Sequence, residues 1–301
     1  MSTPMISVRG LTKRYGSTTA VDDLSFTVRE GAVTAFLGPN GAGKTTTIRM
    51  LLGLAPPDAG EALVLGKPYQ GLQRPVSVVG TLIDGAGFHP GRTARNHLRV
   101  LASMTGISER RVDEVIRAVD LAGAADRKVG GFSLGMRRRL GLACALLGDP
   151  RILILDEPAN GLDPAGIRWL RESLKSFAAD GGTVLVSSHV LAEVAHTADD
   201  VVVINKGALV TQTTVEDLTA GQAVTVKVSD RDRLRRALAP TGAAIRVDGR
   251  DGLSLTGITA RAVGEAAARE GLVVYELTSR GQSLEDVFMQ LTTEGAEHAA
   301  S

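Results

Sequence analysis

The chain has 301 residues, 44% hydrophobic and only 3% aromatic, with 34 Lys and Arg against 33 Asp and Glu for a net charge of +1. That length suits one large domain and one small one at about 150 residues per domain, with a core built mainly from aliphatic side chains. The balanced charge excludes a globally basic nucleic-acid binder, and the single cysteine, Cys144, excludes an internal disulfide. Cys144 lies in the apolar run 140–147 and is expected in the core as a small hydrophobe. No cationic start leads into an apolar stretch at the N-terminus, so no signal peptide is expected. Apolar runs stop short of the roughly 18–20 residues a spanning helix needs; residues 140–147, for example, end at Gly148-Asp149-Pro150-Arg151. A soluble chain is expected, and any membrane role then needs a partner.

In chain order, residues 6–31 read as short strands with turns. Val8, Leu24, Phe26 and Val28 alternate with polar residues, which suits an antiparallel sheet with one wet face. Residues 32–37 form a short apolar strand that runs into a glycine-rich loop, and residues 45–54 follow with helical spacing at Ile48, Leu51 and Leu52. Residues 77–83 are another β-rich run. Residues 92–147 read as mostly helical, with loops at 106–108 and 130–135. Residues 152–155 are a continuous apolar strand of the kind buried in parallel sheets. Helix 167–178, strand 183–187, helix 190–195 and strand 201–204 then predict a doubly covered α/β sheet.

After residue 221 the pattern changes to strand 223–228, helix 230–238, strands 244–247 and 253–255, helix 260–270 and strand 272–275. That βαββαβ order predicts a small α+β domain of the split-βαβ kind. A short helix at 284–291 and a polar tail, expected to be disordered, close the chain. The domain scheme is 5–220, 221–292 and the tail 293–301.

The sequence Gly38-Pro39-Asn40-Gly41-Ala42-Gly43-Lys44-Thr45 matches G-x-x-x-x-G-K-[ST] in full, with Thr46 beside it. Glycines let backbone N–H groups turn inward as a nest for anionic oxygens, and the following helix adds its positive dipole end. Lys44 supplies a charge for the β- and γ-phosphates of ATP, and the Thr45 hydroxyl is a ligand for Mg²⁺. At the end of the apolar strand 152–155 stand Asp156 and Glu157, where ligands collect in open parallel sheets. Asp156 is expected to hold Mg²⁺, and Glu157 to orient or deprotonate the attacking water.

Further residues carry a family resemblance. Phe132-Ser133-Leu134-Gly135-Met136 resembles a variant of the LSGGQ signature of ATP-binding cassette (ABC) ATPases. Asn160-Gly161-Leu162-Asp163 resembles their D-loop, His189 their switch histidine, and Tyr15 stands where the family stacks an aromatic ring on adenine. Residues 5–220 thus resemble a P-loop NTPase core with an antiparallel β subdomain and a helical subdomain. The resemblance implies a head-to-tail pair, either a homodimer or two matched ABC subunits. Ser133 and Gly135 of one copy cap the ATP held by the other, Asp163 couples the two sites and His189 meets the γ-phosphate. It also implies an integral membrane permease as partner and a place on the cytoplasmic face of the membrane.

Two positions depart from the family pattern. Leu134 and Met136 stand where the usual signature has glycine and glutamine, and by register Asp84 takes the place of a loop glutamine, where a carboxylate still suits Mg²⁺. Both departures resemble bacitracin- and lantibiotic-immunity exporters. The closing Ser283-Leu284-Glu285-Asp286-Val287-Phe288 resembles daunorubicin-type exporter subunits, although Leu284, Val287, Phe288 and Leu291 also have ordinary helix-burial spacing. The expectation is an ATP-hydrolysing motor that exports an antibiotic, peptide or drug-like compound. The alternative is an ABC-type ATPase that acts as a nucleotide-gated regulatory or binding module without transport.

Overall fold

The computed structural model describes residues 4–83, 87–190, 197–220, 223–248 and 252–280. The chain divides into two compact units, Met1–Gln212 and Thr213–Thr293. Position 84, most of the expected helix 190–195, the closing helix 284–291 and the tail lie outside the described residues.

The first unit begins with β1 (Ile6–Tyr15) and β2 (Thr18–Val28), an antiparallel pair in which Val8 faces Phe26 and Ile6 faces Val28. β3 (Val33–Leu37) leads through the glycine loop to α1 (Lys44–Leu51), and β4 (Ala59–Val64) returns to pair antiparallel with β1. β4 is a strand the sequence pattern did not predict. Its Ala-Gly-Glu-Ala opening is poor in β-formers, and pairing with β1 is what holds it.

The run expected as strand at 77–83 is divided. Pro75 opens a single helical turn, α2 (Pro75–Val78), and only β5 (Val79–Leu82) is extended. Three helices come next: α3 (Ala94–Thr105), α4 (Glu109–Ala118) and α5 (Leu134–Leu146). The expected loop 130–135 ends early, because Ser133 caps α5 and Gly135 lies in its first turn.

β6 (Ile152–Leu155), α6 (Pro164–Ala179), β7 (Thr183–Ser188), β8 (Asp200–Asn205) and β9 (Ala208–Thr214) complete a six-stranded sheet in the order β5-β6-β7-β3-β8-β9. β5, β6, β7, β3 and β8 run parallel. β6 and β7 are buried along their whole length, as a sheet covered on both faces requires.

One core cluster joins the antiparallel sheet, α1 and the parallel sheet through Ile6, Leu24, Phe26, Phe36, Ile48 and Ile154. Phe26 stacks on Phe36 with ring centroids 5.2 Å apart. Cys144 lies on α5, and desolvation pushes its thiol up to about 12, which leaves it an inert packing group. His97 of α3 meets Phe88 edge-on at 5.1 Å, and burial, with Arg92 adding to it, holds its imidazole below the usual value.

The second unit contains α7 (Val215–Ala220), β10 (Ala223–Val228), α8 (Arg231–Leu238), β11 (Ala244–Asp248), β12 (Gly252–Thr256), α9 (Ala260–Arg269) and β13 (Val274–Arg280). Its sheet order is β11-β12-β10-β13 with every neighbour antiparallel, the arrangement of a split-βαβ unit. Val226, Leu234, Leu253, Leu255 and Val263 form its core.

Candidate nucleotide site

The site is carried by the C-terminal ends of three adjacent parallel strands, β6, β7 and β3. Beyond β3 the glycine loop is held open by backbone geometry. Gly43 takes φ 101°, and a Cβ there would overlap the carbonyl oxygen of Ala20. Loop and β2 therefore approach so closely that only glycine fits. The loop borders a cavity of about 230 Å³ lined by Ala20, Asn40, Gly41, Gly43, Lys44, Thr45, Thr46, Glu157 and Asn160. Gly38, Pro39 and Ala42 stand behind it. The first two offer carbonyls to Lys44 Nζ at 2.7 and 3.2 Å, and Ala42 is buried.

A connected polar network crosses the three strand ends. Thr45 Oγ1 donates to Asp156 Oδ2 at 2.8 Å, and Ser187 Oγ donates to Asp156 Oδ1 at 2.6 Å. Ser187 Oγ also accepts from the Glu157 amide at 2.9 Å. Both Asp156 and Ser187 are buried, so the hydrogen bond between them is made out of reach of bulk water. Glu157 adopts φ 47°, a left-handed conformation unusual for a non-glycine residue. Its carboxylate reaches Lys44 Nζ at 3.2 Å through Oε1 and His189 Nδ1 at 2.9 Å through Oε2. Lys44, Asp156, Glu157 and His189, expected together from the sequence, are thus in one network.

Ser187 belongs to this network too, a position that no motif in the sequence marks. The available signal was a hydroxyl two residues before His189, at the end of a parallel strand.

Other expected residues lie apart from this cavity. Tyr15 sits beside the β1–β2 turn, half exposed, with Lys13 Nζ 5.6 Å from its ring centroid. Ser133 and Gly135 open α5, where the Ser133 hydroxyl accepts from the Met136 amide at 3.2 Å. Asp163 caps α6 by accepting from the Gly166 amide at 2.8 Å. Each of these two caps satisfies a helix end locally. Asp84 falls outside the described residues.

The residues fit a nucleotide and a magnesium ion. A glycine-lined nest at the start of an eight-residue helix is suited to phosphate oxygens. Thr45 Oγ1 beside Asp156 Oδ2 is a hard oxygen pair of the sort Mg²⁺ takes together with phosphates and water. Among the described residues no helix is long and apolar enough to cross a membrane.

The family described as ABC transporter matches residues 21–160, and a domain of unknown function matches residues 222–285. An uncharacterized ABC transporter ATP-binding protein of Bacillus subtilis, YhcH, is 37% identical over 97% of this chain and 97% of its own length. The bacitracin transport ATP-binding protein BcrA of Bacillus licheniformis is 44% identical over 69% of each chain. A solved ATP-binding subunit of an ABC transporter superposes with a TM-score of 0.64 at 30% identity, over 71% of this chain and 91% of that one.

Proposed function

This chain belongs to the ABC transporter ATP-binding proteins, and from that premise we propose that it is the ATP-hydrolysing motor of an exporter for an antibiotic, peptide or drug-like compound. The observation that carries the proposal is the single network joining Lys44, Thr45, Asp156, Glu157, Ser187 and His189. In this reading residues 5–220 are the ATP-binding domain and residues 221–292 a smaller C-terminal domain.

The glycine nest and Lys44 take the phosphates, and Tyr15 offers its exposed ring to the adenine. Thr45 and Asp156 hold Mg²⁺, with Asp84 as a further ligand; the ion supplies neutralisation of charge on the phosphate oxygens. Phosphate entering the nest competes with Glu157 for Lys44, because both are anions within reach of one ammonium. Glu157 Oε1, released from the lysine, accepts a proton from the attacking water, and His189 braces Oε2. Ser187 fixes the Glu157 backbone and the Asp156 carboxylate at the same time, so metal ligand and base are positioned by one hydroxyl.

A second copy, or a paired ABC subunit, packs head to tail and brings its Ser133 hydroxyl and the α5 N-terminus to the γ-phosphate, with Asp163 at the seam. Closure of the pair moves an integral membrane permease, and the chain works at the cytoplasmic face through that partner. The bacitracin transport role in BcrA's name supports export of an antibiotic-like cargo. Affinity purification of the full chain from its native membranes tests this. The expected result is stoichiometric recovery of a multi-spanning membrane protein whose presence raises ATP turnover. Repeated purification free of any membrane protein would favour a regulatory ATPase instead.

A further inference from the structure

Leu134 stands where the signature it resembles has a glycine, and its side chain has a specific place. The residue is 50% exposed, yet its Cδ2 methyl lies against Gly161 so closely that a Cβ at Gly161 would overlap it. One residue further along each segment, a Cβ at Gly135 would stand 3.7 Å from Leu162 Cδ2. The first turn of α5 therefore rests on the loop after Glu157.

That loop has little slack. The Asn160 amide donates to the Glu157 carbonyl at 3.2 Å, the Leu162 amide to the Ala159 carbonyl at 3.0 Å, and Asp163 is tied to α6 as its cap. Asn160 and Glu157 both line the cavity at the glycine loop. Two consecutive turns thus connect the cavity wall to the residue on which Leu134 sits.

We propose that Leu134 is a positioning residue that locks the α5 N-terminus to the Glu157 loop of its own subunit. Through that contact, nucleotide in a subunit's own site sets how its Ser133 is presented to the partner's nucleotide. A glycine at 134 has no side chain to reach Gly161, so the contact is a property of this chain's leucine. The proposal rests on the head-to-tail pairing proposed above.

The test is the MgATP dependence of hydrolysis by the full chain, wild type against Leu134→Gly and Leu134→Met. Fluorescent-ATP binding is measured in parallel. Wild type is expected to be cooperative, with a Hill coefficient approaching about 2 for two coupled sites. Leu134→Gly should fall to about 1 with kcat down by about fivefold or more, while nucleotide affinity stays within about twofold. Leu134→Met should behave as wild type, because its flexible side chain still reaches Gly161. Gly161→Ala displaces the leucine, and the double variant Leu134→Gly/Gly161→Ala should lose less than the sum of its singles.

Wild-type cooperativity and kcat in Leu134→Gly would overturn the proposal, as would strict additivity in the double variant. Sizing the Glu157→Gln chain with ATP separates the two levels of failure. A chain that stays monomeric removes the paired-site reading and this proposal together. A chain that dimerises, with Leu134→Gly still cooperative, removes only the role of Leu134.

Discussion

Replacing Ser187 by alanine removes one oxygen that serves two partners. Ser187 Oγ donates to Asp156 Oδ1 at 2.6 Å and accepts from the Glu157 amide at 2.9 Å, and both Ser187 and Asp156 are buried. The hydrogen bond to the ionised carboxylate is worth about 1.5–3 kcal/mol net and the amide bond about 1 kcal/mol. Thr45 still holds the other Asp156 oxygen, which limits the loss. A destabilisation of roughly 3 kcal/mol is expected, read as a lower denaturant midpoint at unchanged slope.

The effect on catalysis should be about as large as the effect on folding, since a 100-fold loss of rate corresponds to about 2.7 kcal/mol. Without the hydroxyl, the left-handed Glu157 backbone has lost the acceptor for its amide, and only Lys44 and His189 still hold its carboxylate. A displacement of about 1 Å costs roughly 100-fold in rate. Steady-state ATPase at saturating MgATP should fall by that order, with nucleotide affinity nearly unchanged because the glycine nest is intact. Wild-type turnover in Ser187→Ala, with a midpoint shift worth less than about 0.5 kcal/mol, the size of an ordinary surface change, would show that Ser187 positions neither carboxylate.

Backbone strain and a half-buried imidazole give two further tests. Gly43→Ala places a Cβ into the Ala20 carbonyl at φ 101°. That backbone strain alone costs about 1–3 kcal/mol, and calorimetric titration should find ATP binding weakened by at least about tenfold. His97 binds a proton less readily in the folded chain than unfolded, through burial and then Arg92. Stability should therefore fall as pH drops below its ordinary 6.5. His97→Phe should flatten that slope between about pH 7 and pH 5.5 in denaturant titrations, and an unchanged slope would contradict the assignment.

The parts of the site that sequence revealed are those that local chemistry dictates. A strand, a glycine loop and a helix-opening lysine are contiguous in the chain, and so are Ile152–Leu155 and the acidic pair. Ser187 was hidden because it meets Asp156 only once β6 and β7 lie side by side, a neighbour relation that the sheet order creates. The same applies to Leu134 on Gly161, where two segments far apart in sequence meet side chain against backbone. β4 and β9 escaped notice for a different reason. Gly60 and the short Ala-rich stretch around it make a weak strand pattern, and the polar Thr211-Gln212-Thr213-Thr214 end of β9 reads as loop. Ser133 and Asp163 were legible as motif residues, and the structure adds that both cap helices within their own chain, so substituting either tests capping and catalysis together.

If Glu157 drives hydrolysis of ATP held by Lys44, as proposed, turnover of the Glu157→Gln chain must collapse. The amide keeps the size and the approach to Lys44 and His189 but cannot take a proton from water. ATP turnover should fall by about 100-fold or more, with ATP binding retained. Turnover near the wild-type rate in that variant would rule out Glu157 as the base.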